Sequence, residues 1–238
     1  ARRQPLVCIG NVGCRGAKSA LRMHVGSAFF GFEARALVAW VRFTTETLAS
    51  ERKMESREVV IIGSGPAALR AAIACADGGT VPLMVDEFGV GSASGSHPVA
   101  GLAASIDEMD SKSHEEDTLT LGGETCDEEV VSRTCNQGVK TLAELERWGL
   151  ALRRREGGLP HASAAPGHKT PRLTGCGDST FQEVTRVLEE QAIKRGIQRN
   201  ADSIPLCIIS DNSQVRGVVT LDVPSGKIDA IQTKALIL

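Results

Sequence analysis

The stretch VVIIGSGPAALRAAIACADGGTVPLMVDE, residues 59–87, runs apolar, then glycine-rich, then alanine-rich, then apolar again, and stops on two acids. EVVII (58–62) reads as a short buried strand, Gly63 to Gly65 as a turn, and PAALRAAIACA (66–76) as a small-residue helix. Gly78 and Gly79 stop that helix, and VPLMV (81–85) reads as a second buried strand. The turn has the spacing G-x-G-x-x-A as Gly63, Gly65 and Ala68. Gly63 permits the tight turn, Gly65 lets a pyrophosphate approach the backbone, and Ala68 lets helix and strand pack closely, with the helix N-terminus facing the phosphates. Asp86 ends the second strand 23 residues after Gly63, near the position where a ribose hydroxyl is normally bound, with Glu87 as the alternative acid. The spacing therefore implies a doubly wound α/β fold that binds a dinucleotide, and it leaves NAD and FAD both open.

Working outward, 238 residues suffice for one large domain or two small ones, and 42 % hydrophobic content is that of a globular core. The formal charge of -2 hides an asymmetry: residues 1–53 hold nine Lys/Arg against three Asp/Glu, whereas residues 54–238 hold eighteen against twenty-six. The acidic main body argues against a nucleic-acid partner. Seven cysteines, at 8, 14, 75, 126, 135, 176 and 207, form no C-x-x-C pair and no metal-ligand spacing, which fits reduced thiols in an intracellular protein. VGSAFFGFEARALVAWV (25–41) is broken by Glu33 and Arg35 and is shorter than the roughly 20 apolar residues of a membrane span.

Residues 1–55 read as an N-terminal extension outside the fold, either a transit-type segment or upstream sequence before Met54. FGVGSASGSHPVAGLAAS (88–105) is too rich in Gly, Ser and Ala for a regular strand and reads as a long functional loop. DEEVVSRTCNQGVKTLAELERWGL (127–150) carries helical spacing with Gly149 as its stop, and STFQEVTRVLEEQAIKRGI (179–197) opens with a capping-box pattern from Ser179 to Gln182. Three strand-like runs follow, 204–210, 214–222 and 227–233, as a β-meander, and ALIL (235–238) looks like the opening of another buried strand.

The chain from 57 to 238 resembles the flavoprotein subunits of succinate dehydrogenase and fumarate reductase, with L-aspartate oxidase as a close relative. The landmarks occur in the family's order: GSGPAALRAA, Ser96-His97, DSKSHEEDTLTLGG (110–123), ELERWGL (144–150), PGHKTPR (166–172), GDSTFQEVTRVLEEQA (177–192) and GVVTLDVPSGKIDAIQTKALIL (217–238). It departs from the family at Pro98, Val99 and Ala100, where the family has Thr and then Gln-Gly-Gly, and at Phe181, where the family has Gly.

The resemblance implies a Rossmann-like FAD-binding domain, a parallel sheet with a β-meander insertion, spanning 56–238 and truncated before the family's capping domain. It implies FAD as cofactor, bound by Gly63, Ser64, Gly65, Pro66, Ala67, Ala68, Asp86, Glu87, Ser96, His97 and Ile204. His97 looks like the histidine that the succinate dehydrogenases and fumarate reductases bond covalently to the flavin. It implies a C4-dicarboxylate substrate, an iron–sulfur partner subunit, membrane contact only through partner subunits, and a cytoplasmic inner-face or mitochondrial matrix location. No catalytic residue is assigned, because the family's active-site arginine lies beyond the last residue. His114 reads as a helix-surface or capping residue and His168 as a structural loop residue. An L-aspartate oxidase and a noncatalytic FAD-binding remnant are the competing readings, while a pyridine-nucleotide–disulfide reductase is excluded by the missing cysteine pair.

Overall fold

The computed structural model describes residues 7–8, 54–88, 99 and 101–238. In chain order its elements are β1 (Val7–Cys8), β2 (Glu55–Ile62), α1 (Pro66–Asp77), β3 (Leu83–Val85), β4 (Leu102–Ala103), α2 (Ser111–Gly122), α3 (Glu128–Arg147), β5 (Ala162–Ser163), β6 (Leu173–Thr174), α4 (Thr180–Lys194), β7 (Gln198–Asn200), β8 (Ser203–Asp211), β9 (Gln214–Asp222) and β10 (Lys227–Ile237). They fall into two compact units, one within 1–60 and 203–236 and the other within 61–202 and 237–238.

The unit from 61 to 202 has an α/β core. α1 starts with Pro66 at its first position, a ring whose missing N–H costs nothing there, and buries Leu69, Ala72 and Ile73 at i, i+3 and i+4. β3 is buried at all three positions and pairs in parallel with β7, Leu83 opposite Gln198 and Val85 opposite Asn200. α4 packs on α1 and buries Val184, Val187, Leu188 and Ala192, close to the apolar face expected from its spacing. The expected capping box does not form: Ser179 makes no side-chain cap bond, and the Thr180 hydroxyl instead donates to the Gly177 carbonyl and accepts from the Cys176 N–H. α3 runs as expected, with the Asp127 carboxylate accepting from Val130 N–H and Leu142 and Leu145 buried. Trp148, just past α3, lies 5.7 Å from the guanidiniums of both Arg70 and Arg195. Arg70 pairs with Glu144 and Arg195 with Asp77, so the ring and these ion pairs tie together α1, α3 and the end of α4.

The expectation of a strandless loop over 88–105 is corrected at its end. Leu102–Ala103 pair with Leu173–Thr174, which also pair with Ala162–Ser163, giving a three-stranded antiparallel sheet β4-β6-β5. The approach is close enough that a Cβ on Gly101 would lie 2.7 Å from the Thr174 carbonyl oxygen, so the pairing needs glycine there.

The other unit is the meander. β8 and β9 pair antiparallel from Ser203↔Asp222 to Asp211↔Gln214, joined by Asn212 and Ser213 at φ +48° and +64°, the backbone of a two-residue type I′ turn. β9 and β10 pair from Lys227↔Asp222 to Gln232↔Gly217. Beyond that register the Thr233 hydroxyl donates to the Glu58 carbonyl of β2 at 3.2 Å. ALIL does not open a strand of its own: β10 continues to Ile237, with Ala235 exposed and Leu236 half-buried. Val7–Cys8, within the stretch expected to lie outside the fold, pair with Ile208 and Cys207 of β8.

Candidate functional site

The end of β2 and the end of β3 are stitched together at Gly63, whose N–H donates to the Val85 carbonyl at 2.8 Å. Gly63 has φ +112°, outside the range open to other residues, so the turn that leads into α1 requires glycine. Gly65 is the N-cap of α1 with φ −70° and ψ 172°, and no side chain caps the helix. The Leu69 N–H returns to the Gly65 carbonyl, the first bond of the helix. The amides of Ala67 and Ala68 thus have no acceptor within the helix, and no acid occupies the first turn. That is the open, positive helix end an anion needs. Ser64 is buried beside it, Ala67 is exposed, and a Cβ on Gly63 would sit 3.8 Å from that of Ala68, an ordinary contact.

One residue beyond β3, Asp86 donates its N–H to Asn200 and is only 5 % exposed. Its Oδ1 accepts weakly from Phe88 N–H at 3.4 Å, and its Oδ2 is buried with no hydrogen-bond partner among the described residues. A buried carboxylate oxygen left without a donor costs free energy that a hydroxyl group in the site recovers. Since the adjoining Val85 holds Gly63, this oxygen belongs to the same strand-end edge as the α1 N-terminus. The pairing of an acceptor for a ribose hydroxyl with a helix end for phosphate fits the adenosine diphosphate part of a dinucleotide. Glu87 is exposed, so of the two acids only Asp86 is enclosed.

Ser96 and His97 lie outside the described residues. Two residues beyond His97, Val99 N–H donates to the Asp178 carbonyl at 3.2 Å. Ile204 belongs to the meander unit, half-buried in β8 opposite Leu221.

A second cluster escaped the sequence reading. Arg172 is 1 % exposed and its guanidinium is saturated: Nε and Nη2 donate to Asp110, Nη1 to Asp117 at 2.6 Å, and Nη2 also to Ser113 and Thr170. Nη1 also lies 3.1 Å from His168 Nδ1. His114 was expected as a helix-surface or capping residue; it is buried within α2, its ring 5.3 Å from that of His168 and its Nδ1 3.4 Å from the Ser105 hydroxyl. The correction has a physical cause, since α2 turns a polar face inward (Ser111, His114 and Asp117) to meet Arg172.

The Arg172 hydrogen bond, followed by the backbone N–H of Lys169, holds the Asp117 carboxyl down from 3.8 to about 2. Burial, then the charge of Arg172 and the neighbouring His168, lower the His114 imidazole below its ordinary 6.5. Both shifts are downward, so the unfolded chain binds protons first; these groups support the fold at neutral pH, and the support fades on acidification, below 6.5 for His114 and below 3.8 for Asp117.

The FAD binding domain family matches residues 58–238 of the chain. The L-aspartate oxidase of Arabidopsis thaliana is 29 % identical over 187 residues, 76 % of this chain and 29 % of that protein. The fumarate reductase flavoprotein subunit of Serratia sp. is 30 % identical over 189 residues, 76 % of this chain and 31 % of that protein. Among solved structures, a quinol fumarate reductase of E. coli superposes with a TM-score of 0.70 at 25 % identity, covering 78 % of this chain and 32 % of that one. The chain spans about a third of the length of the relatives it matches. Among the described residues no helix is long and apolar enough to cross a membrane.

Proposed function

The chain belongs to the FAD binding domain family, and we propose that its Gly63 turn, the α1 N-terminus and Asp86 hold the adenosine diphosphate end of FAD. The observation that carries this is the buried, unpartnered Oδ2 of Asp86 beside an uncapped helix end. Ala67 and Ala68 supply backbone donors to the pyrophosphate, and Asp86 accepts from the ribose. When bound, the isoalloxazine supplies a two-electron, hydride-accepting centre. Asp86→Ala removes a charged acceptor and is expected to weaken FAD binding by about 10- to 100-fold, the equivalent of about 1.5–3 kcal/mol. The same change removes an unsatisfied buried oxygen, so the protein without FAD keeps or gains thermal stability. Titration calorimetry and thermal melts separate the outcomes: an apo protein that melts lower while FAD affinity holds makes Asp86 a purely structural residue.

In the whole protein we read this portion as part of a flavoprotein subunit that interconverts succinate and fumarate and exchanges electrons with an iron–sulfur partner subunit. Ser96-His97 supports this reading over an L-aspartate oxidase, because an imidazole nitrogen can bond the flavin and raise its potential, which suits a weakly reducing saturated dicarboxylate. Acid precipitation of the full-length protein decides between them. Flavin fluorescence that stays with the pellet, and leaves it in His97→Ala, supports the succinate/fumarate reading; flavin released from the unaltered protein supports the oxidase.

A further inference from the structure

We propose that the contact between His168 and Arg172 is a proton-operated latch on residues 166–172. The guanidinium cannot accept a hydrogen bond, so its Nη1, 3.1 Å from His168 Nδ1, must be the donor and the imidazole nitrogen the acceptor. That arrangement exists only for neutral His168 with its proton on Nε2. Protonation places an N–H on Nδ1 as well, so that donor faces donor and cation faces cation at the same distance. Arg172 is held by five other donations, four of them among Asp110, Asp117 and Ser113, and is enclosed. His168 is half-buried on a segment with exposed neighbours. The histidine is therefore the member that leaves.

The groups around the pair come from four places. α2 and its N-cap present Asp110, Ser113, His114 and Asp117; the segment itself presents Lys169, Thr170 and Arg172; and Ser105, after β4, touches His114. α3 contributes the Cys135 thiol, 3.8 Å from the Thr118 hydroxyl. Both carboxylates, Asp110 and Asp117, pair with Arg172, and the groups closest to the His168 ring are the Arg172 guanidinium and the His114 ring. What the latch holds is visible next to it: Lys169 N–H donates to Asp117 Oδ2 at 2.9 Å, and Gly167 packs against the Leu121 side chain.

Hydrogen exchange resolved over residues 166–172 of the 238-residue chain tests this, at about pH 7.5 and about pH 5.5, a range across which imidazoles change charge. After correction for intrinsic exchange, protection of the Lys169 amide is expected to fall about tenfold at the acidic pH, the loss of one hydrogen bond to a charged group. His168→Gln, whose amide oxygen accepts at either pH, keeps the amide protected at both. His168→Ala leaves it open at both. The proposal is overturned if protection does not fall in the unaltered chain, if His168→Gln shows the same fall, or if the fall matches global unfolding measured by thermal melts at the two pH values.

Discussion

Arg172→Met is expected to lower the unfolding free energy by about 3–5 kcal/mol, the cost of removing one partner of a buried ion pair and leaving the other charge behind. Arg172 is the largest fully buried side chain in the described structure. Its five N–H groups reach two carboxylates, two hydroxyls and one imidazole. Methionine fills much of the volume, so the loss reports charge and hydrogen bonding rather than a cavity. Urea denaturation followed by circular dichroism measures it, and a change below about 1 kcal/mol would mean that water reaches the two carboxylates and the network is not closed. Arg172→Lys is no rescue, because a compact ammonium cannot span Asp110 and Asp117 in a fork. Pairing Arg172→Met with Asp117→Asn should cost less than the sum of the two single changes, since the orphaned charge is then absent. The pH dependence has a fixed sign. Asp117 titrates at about 2 in the folded protein and its ordinary value is 3.8, so the gap between Arg172→Met and the unaltered protein narrows as pH falls through that window.

That network also shows why the sequence was legible in some places and opaque in others. The Gly63 turn, α1, β3, α3, α4 and the meander were readable because each buries an apolar face with a clear period or ends on a glycine whose conformation is required. α2 was not readable as an amphipathic helix, because the face it buries is Ser111, His114 and Asp117, and hydropathy scores that face as surface. Hydropathy gave Arg172 no core signal: within the landmark PGHKTPR it scores as a solvated cation, and only the tertiary arrival of Asp110 and Asp117, 62 and 55 residues earlier, makes it a core residue. β7 escaped for a related reason, since Gln198, Arg199 and Asn200 hold a parallel register with β3 without an apolar residue among them. At the strand-end edge the spacing singled out Asp86 and Glu87 together. Their difference, one enclosed with an idle oxygen and the other exposed, is a property of where β3 ends against β7 and cannot be read from two adjacent acids.

The two glycines of the turn should fail in opposite ways. Gly63 holds φ +112°, and a Cβ there would have room, its nearest neighbour being Ala68 Cβ at 3.8 Å. The penalty in Gly63→Ala is therefore backbone strain alone, about 1–3 kcal/mol, relieved only by breaking the Gly63 N–H bond to Val85 and moving the start of α1. Both stability and FAD affinity are expected to drop, because the strain falls on the peptide that leads into the proposed phosphate site. Gly65 has φ −70°, which alanine adopts freely. Gly65→Ala should accordingly change stability by no more than about 0.5 kcal/mol, while its methyl group stands where the pyrophosphate must approach and weakens FAD binding by about tenfold or more. Thermal melts without FAD, paired with FAD titrations, distinguish the two. If Gly65→Ala binds FAD as tightly as the unaltered protein, the phosphates do not pass over this helix end, and the assignment of the turn to the dinucleotide falls with it. If Gly63→Ala alone loses binding, the turn shapes the fold and the phosphate contacts must be sought elsewhere on the strand-end edge.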